Sequence, residues 1–414
     1  MQCIGRLRVS LAVGLALCAV ALTMTPFAQA GSGVSDVETA LNARFAHTPW
    51  TLAAADATPL TLQQALDQTL ENNPDIQAAK EKISEMQAKR AMVKNKRLLF
   101  FFRYFNASFL EGSAESDTQA AREHLEAVTQ KALLACVTAY YNDVRATLKS
   151  YLDYRRIRQG VKSVLLAQRR FESGDGTGLD LIAEKSLLLK RDEDYQQSLS
   201  LRPLAQAQLA LAMGDFPAKA RLRPSDLSFS EGRFQIPQYQ QAFPPLETLL
   251  AEPIDKRPDS RELFYRRLSI YNLLRANINQ FDKNQTRLMQ ATLAQLDMKL
   301  KRARQAAEAS VIQAWQTLTF ARQSLSIAEE RAALARTALR QVQISEKAGF
   351  SSEKDALDAQ VRDDEAQIAL IDAQLDYNHA QFRLLYAVGD LTPDATRALV
   401  LRPVRNADPS QAGL

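Results

Sequence analysis

Few side chains in this sequence stand where catalytic chemistry would need them. The three histidines, His47, His124 and His379, lie far apart in the chain. No metal-ligand spacing, phosphate-binding loop or nucleophile motif accompanies them. Each histidine reads as a surface or packing residue, so neither an enzyme nor a bound metal or cofactor is expected. What does recur is a glycine with a hydroxyl and a carboxylate at fixed distances after it. Gly174 is followed by Thr177 and Asp180, and Gly349 by Ser352 and Asp355. A glycine in the left-handed conformation ends a helix, and a hydroxyl three positions on caps the next one. An acid in the first turn then faces the positive helix terminus. That is the chemistry of a tight turn between two helices. Asp358 adds a carboxylate one turn beyond Asp355, and acids at such positions are commonly no more than partners of the helix dipole.

The elements carrying these turns must be very long helices. Of 414 residues, no proline falls between Asp75 and Arg202 or between Asp259 and Thr392. Strand-rich domains need turn residues every 8–12 positions or so. These two stretches are instead rich in Ala, Leu, Gln, Arg and Glu. An α/β enzyme is disfavoured too, because no glycine-rich strand-to-helix turns occur. Val311, Leu318, Leu325, Ala332 and Leu339 step by seven, and Ala314, Ala321, Ala328, Ala335 and Val342 follow three positions after each. Such heptads specify a left-handed coiled coil, with alanines permitting close backbone approach. The charged residues between them, Arg322, Glu329, Glu330, Arg336 and Arg340, read as a solvated face. A helix over about 286–347 would be roughly 93 Å long, which calls for a rod or a tube.

The chain also repeats itself. Asn73-Pro74-Asp75 and Arg257-Pro258-Asp259 each open a helix, with proline at its first position. Met213-Gly214-Asp215 and Val388-Gly389-Asp390 each close one, and 40 residues separate turn glycine from stop glycine in both halves. The expected fold is therefore all-α, made of two repeated long helical hairpins. The first repeat is placed at 59–215 with its tip at 173–178, and the second at 254–390 with its tip at 348–352. Pro203 should kink the first returning helix. Residues 216–253, with six prolines, form a linker holding a strand or short helix along the rod. The extension 31–58 and the tail 391–414 read as loosely ordered.

Residues 1–30 have the plan of a signal peptide. Arg6 and Arg8 precede an apolar run, and Ala28-Gln29-Ala30 offers a cleavage site before Gly31. An uncleaved anchor is the lesser alternative, since the run is short for a span of about 20 residues. Cys18 does not mark a lipoprotein, because Leu17 before it is too large and it sits inside the apolar run. Removing residues 1–30 takes away two arginines and no acid, leaving a net charge of +3. That near neutrality, without a basic block, gives nucleic-acid binding little support. Only Cys136 then remains, so no intrachain disulfide can form.

Taken in order, several motifs resemble those of TolC-like outer membrane factors. They are Leu60-Thr-Leu-Gln-Gln-Ala-Leu with Glu71-Asn-Asn-Pro74-Asp, the Arg-Pro-Asp of the second half, the two tips, and the endings Leu209-Ala-Leu-Ala-Met-Gly and Leu384-Leu-Tyr-Ala-Val-Gly. The resemblance covers about residues 59–390. It implies a homotrimer whose twelve long helices form a periplasmic tunnel, in the outer membrane and periplasm of a Gram-negative bacterium. Such a protein serves a tripartite efflux pump or a type I secretion system, with a periplasmic adaptor and an inner-membrane transporter as partners. The tips, at Gly174, Thr177, Asp180, Gly349 and Ser352, would dock on the adaptor. Asp355 and Asp358 correspond to tunnel-facing positions at the narrow end, where three copies would make two acidic rings attractive to cations. Family members carry an arginine two residues after the second tip glycine; Ser351 stands there in this chain.

The larger departure is the β-barrel. Pro74 to Gly174 spans 100 positions, and Pro258 to Gly349 only 91. A membrane hairpin takes two strands of about 9–11 residues. Only 98–117 and 277–285 are available, so the barrel is expected to be reduced or absent. The first of these segments is an aromatic loop, Phe100, Phe101, Phe102, Tyr104, Phe105 and Phe109. It would either meet the inner leaflet of the outer membrane or plug the end of the helices. A periplasmic assembly or docking protein that does not conduct is the alternative function. A periplasmic adaptor is disfavoured, since no β-rich lipoyl domain surrounds the hairpins.

Overall fold

A computed structural model describes residues 58–99, 104–215, 222–230, 233–239, 241–251, 256–276, 281–400 and 403–404, with positions 39 and 43 isolated. The signal-peptide assignment and nearly all of 31–58 lie outside the described residues, as do His47 and Phe100, Phe101 and Phe102. The fold is all-α in its body, as the proline-free stretches and heptads lead one to expect. After strand β1 (Thr58–Leu60) come helices α1 (Leu62–Asn72), α2 (Pro74–Leu99), α3 (Tyr104–Glu172) and α4 (Gly178–Met213). The second repeat holds α6 (Pro258–Ala276), α7 (Lys283–Lys347) and α8 (Glu353–Val388). Between them run β2 (Leu222–Pro224), β3 (Ser228–Ser230), β4 (Arg233–Gln235), β5 (Gln238–Tyr239) and the short α5 (Leu246–Ala251). After them come α9 (Pro393–Val400) and β6 (Pro403–Val404).

The two longest helices, α3 with 69 residues and α7 with 65, each run roughly 100 Å. Each is paired over its lower part with its own returning helix, α4 or α8, and over its upper part with the helix that precedes it, α2 or α6. The lower layer therefore has the order α4–α3–α8–α7 and the upper layer the order α2–α3–α6–α7. Both returning helices have 36 residues, so the two repeats change partner at the same height.

The heptads of α7 pack as their spacing requires. Val311, Ala314, Leu318, Ala321, Leu325 and Ala328 are buried, clustering with Ala373, Tyr377, Ala380 and Leu384 of α8, and Ala332 is buried beyond them. The last three positions, Ala335, Leu339 and Val342, are half-buried toward the tip. A second core forms at the waist, where Leu133, Tyr140, Val144, Leu209, Met213 and Phe382 meet the linker residues Leu227, Ile236 and Tyr239.

Two expectations are corrected. From Tyr104 onward the aromatic stretch is not a loop, because α3 already begins there. Tyr104, Phe105 and Phe109 are thus helical, and residues 110–117 continue the same helix. The C-terminal tail is not loose over its first part. Leu391 and Leu399 are buried, α9 packs on α1, and β6 pairs antiparallel with β5 through Gln238↔Val404. Burying two leucines and pairing a strand gives 391–404 an anchor that its composition does not advertise. The linker is likewise a built band. β1 pairs in parallel with β2, and Asp226 accepts from the Leu62 backbone N–H and the Tyr140 hydroxyl, both at 2.8 Å.

Candidate functional site

At both tips the sequence folds locally in the same way. Gly174 and Gly349 have φ of 81° and 78°, and a Cβ added at either would meet no atom within 4 Å. Glycine is needed there for backbone conformation alone. The amides at 174, 175 and 176 bond to carbonyls at 171, 170 and 170. Those at 349, 350 and 351 bond to 346, 345 and 345, the same pattern shifted by 175 positions. Thr177 and Ser352 then cap α4 and α8. The Thr177 hydroxyl accepts from the Asp180 amide at 3.2 Å, and Asp180 Oδ2 accepts from the Thr177 amide at 3.1 Å and its hydroxyl at 2.7 Å. Ser352 and Asp355 repeat all three bonds at 3.2, 2.9 and 2.7 Å. These reciprocal capping boxes explain the recurring hydroxyl–carboxylate spacing.

Hydrogen bonds from the capping hydroxyls hold the Asp180 and Asp355 carboxyls below the usual carboxylate range. Asp355 is therefore committed to its cap, while Asp358 lies exposed one turn along the same face. Lys354 Nζ donates to Glu184 Oε1 at 3.0 Å, tying the second tip to α4 of the first repeat.

Where α3 of one repeat meets α8 of the other, charged pairs flank an apolar seam that includes Leu148, Ile371 and Leu375. Arg155 Nε donates to Asp364 Oδ2 at 3.1 Å, and Arg156 Nη2 to Glu365 Oε1 at 2.8 Å. Arg145 pairs with Asp376 and reaches Asp372 at 3.7 Å. Sequence periodicity gave no sign of these pairs, since long-range partners cannot be matched without knowing which helices meet.

Within the first hairpin a polar stretch is buried. Asp143 on α3 has no solvent exposure, and neither carboxylate oxygen has a hydrogen-bond partner. Burial pushes its carboxyl up to about 7, with the charge of Arg202 on α4 opposing the rise. Two histidines serve packing. His124 Nδ1 lies 3.0 Å from Glu262, and His379, lowered to about 4 chiefly by burial, lies 3.0 Å from the Thr138 hydroxyl. Among the described residues no group of three acids, histidines or cysteines could hold a metal.

The outer helices of the lower layer, α4 and α7, carry most of the exposed large apolar side chains. On α4 these include Leu179, Ile182, Leu204 and Leu211, and on α7 Phe320, Ile327, Leu334 and Ile344. Leu179, Phe320 and Leu334 are 78%, 69% and 70% exposed, far more than single scattered apolar residues would require. At the opposite end, the segments joining α2 to α3 and α6 to α7 are 100–103 and 277–282. Four and six residues cannot form a membrane hairpin. Among the described residues, no helix is long and apolar enough to cross a membrane.

No protein-family model matches the chain, and no curated relative matches it. Solved structures do. The CmeC outer membrane channel of Campylobacter jejuni superposes with a TM-score of 0.65 at 12% identity, covering 84% of this chain and 90% of that one. A membrane protein from Pseudomonas aeruginosa gives 0.63 at 17% identity, covering 79% and 93%. The open-state MtrE outer membrane channel of Neisseria gonorrhoeae gives 0.61 at 16% identity, covering 80% and 90%. Two of these neighbours are outer membrane channels, and at such identities the likeness is one of fold. The chain has the TolC-like fold with its two crossovers cut short.

Proposed function

We propose that the chain is the periplasmic conduit of an export complex. Three copies close edge to edge into a twelve-helix tube, α4 of one protomer against α7 of the next. The single observation that carries this reading is the pair of apolar edges, because a sheet of helices with two exposed sticky edges is satisfied by ring closure. The tube serves a tripartite efflux pump or a type I secretion system in the outer membrane and periplasm of a Gram-negative bacterium, exporting small molecules or proteins.

In this arrangement the tips, at Gly174, Thr177, Asp180, Gly349 and Ser352, meet a periplasmic adaptor coupled to an inner-membrane transporter. Six similar turns per trimer make weak contacts additive through effective concentration. Asp358, with whatever charge Asp355 presents beyond its cap, rings the narrow end and favours cations over anions. The opposite end, with its aromatic sequence, faces the inner leaflet of the outer membrane. A second reading, an assembly or docking protein that does not conduct, draws on the short crossovers, which leave the tube without membrane strands of its own.

Export by a strain deleted for the chain separates the two, read beside single-channel conductance of the purified protein. The conduit reading expects export to fail on deletion, and Asp355→Ala with Asp358→Ala to shift ion selectivity without disturbing assembly. Export that needs the chain, with no current measurable from the purified protein, would favour the docking protein.

A further inference from the structure

Charge is distributed along the rod in a way that its near-neutral total conceals. Within twelve residues of Gly174 and Gly349, acids and bases nearly balance, eight against seven. Toward the crossovers bases prevail. Residues 86–110 carry six bases and no acid, and residues 263–281 three bases and no acid. Because α3 and α7 each run from a crossover to a tip, these regions occupy opposite ends of one rod.

The described part of the crossover end is exposed. Lys94 on α2, Arg275 on α6, and Lys283 and Arg287 on α7 all face solvent within seven residues of a crossover, or roughly 10 Å. Large apolar side chains stand among them. Met92 and Leu288 are 63% and 66% exposed, and Tyr271 is exposed with the Arg275 guanidinium 5.3 Å from its ring. The second crossover is recessed, since α6 is seven residues shorter than α2. That stagger is about 10 Å, slightly more than one Debye length at physiological salt.

We propose that this end of the rod docks on the anionic phospholipid headgroups of a bilayer, with Lys94, Lys283 and Arg287 meeting phosphates and Met92 and Leu288 entering the interface. Bases beside an exposed aromatic residue, Tyr271 on the inner helix α6, are the chemistry of an interfacial contact. The opposite end, where acids and bases nearly balance, is drawn to that surface far less, so the charge asymmetry favours docking by the crossovers. This inference rests on the reading that the crossover end faces the outer membrane. It supplies an attachment for a tube whose crossovers cannot form membrane strands.

The test is co-flotation of the full chain, freed of residues 1–30, with vesicles of phosphatidylethanolamine alone and of phosphatidylethanolamine mixed with phosphatidylglycerol. Binding is expected only to the mixed vesicles, weakening as salt is raised. Lys94→Gln, Lys283→Gln and Arg287→Gln together should cut partitioning by about a hundredfold or more, at about fivefold for each of the three charges lost per protomer. These three side chains are exposed and form no ion pair among the described residues, so the fold should stand. The tip triple Lys185→Gln, Lys190→Gln and Lys347→Gln changes net charge equally and should bind as the parent does.

Equal binding to neutral vesicles, or equal losses from the two triples, overturns the proposal. So does displacement from vesicles by inorganic polyphosphate at matched phosphate concentration, which would make any polyanion a sufficient ligand. Loss of flotation in the crossover triple with export intact would overturn membrane docking as a functional need and spare the conduit. Flotation retained without export would sink the conduit and leave the docking surface standing.

Discussion

Arg257 donates from Nη1 to the carbonyl of Ala387 at 3.1 Å, bridging the start of one helix and the end of another 130 residues later. Its counterpart in the first repeat is Asn73, whose Nδ2 donates to the carbonyl of Ala212 at the same 3.1 Å. In both repeats the donor precedes the Pro-Asp, and the acceptor lies two positions before the stop glycine. The returning helix is thereby stacked end to end on the helix that opened its repeat. Two chemically different side chains do this because either can reach a carbonyl left unpaired in a last helical turn.

The stop glycines sit inside those joints, which gives the first prediction. Gly214 has φ of 77°, and a Cβ there would lie 2.7 Å from the Asn72 carbonyl carbon. Gly174 has nearly the same φ with open space around it. Gly174→Ala should therefore cost only the left-handed backbone penalty, about 1–2 kcal/mol. Gly214→Ala should cost clearly more, because the joint must also open. Urea melts of the two variants compare them directly, and equal losses would show that the joint yields freely.

Asp143 makes stability depend on pH. Its folded carboxyl titrates near 7, above the ordinary 3.8. Between those values the unfolded chain loses the proton while the folded chain keeps it, so stability should fall as pH rises from about 4 to 7 and then level off. Asp143→Asn should flatten that slope and stabilise the protein at pH 8, by at most roughly 4 kcal/mol. Thermal melts at pH 5 and pH 8 give the comparison. A variant that is less stable than its parent at pH 8 would mean the Arg202 charge outweighs burial.

The charged seam between the hairpins should be sensitive to salt. Arg145, Arg155 and Arg156 are about one-third exposed, so each pair contributes modestly, about 0.2–1 kcal/mol. Replacing all three by Gln should lower stability by roughly 1–3 kcal/mol at low ionic strength and by less in molar salt. A loss that does not shrink with salt would point to packing of the arginine stems.

Each capping box should contribute separately. Thr177→Ala and Ser352→Ala should each cost about 1 kcal/mol and add in the double variant, since the boxes share no partner. Hydrogen exchange at the first amides of α4 and α8 would show the loosening locally.

Much of this fold could be read in the chain because its signals are local. Pro-Asp starts, glycine stops and the α7 heptads each act over a few residues, and each specifies the element in which it is found. The acids at 180 and 355 were legible as helix partners, yet their reciprocal bonds to Thr177 and Ser352 emerge only from the tip geometry. Asp143 looks like any surface acid in sequence; what buries it is α4 returning alongside α3. The helix through Tyr104 and Phe109 is masked in the sequence by its aromatic density and by Asn106 and Ser108, although no glycine or proline lies between Leu98 and Leu110. The order of the C-terminal residues depended on a pairing of β6 with a strand more than 160 positions away. No local pattern records such a partner.

The central claim is that the apolar edges of α4 and α7 close on each other between copies. The most direct measurement is the solution mass of the chain freed of residues 1–30, by sedimentation equilibrium at micromolar concentration, beside a Phe320→Glu, Leu334→Glu variant. Both replaced side chains are exposed in the single chain, so the variant should keep its helical circular dichroism. The account predicts a mass of three chains for the parent and of one for the variant. A parent that sediments as a well-behaved monomer would contradict it.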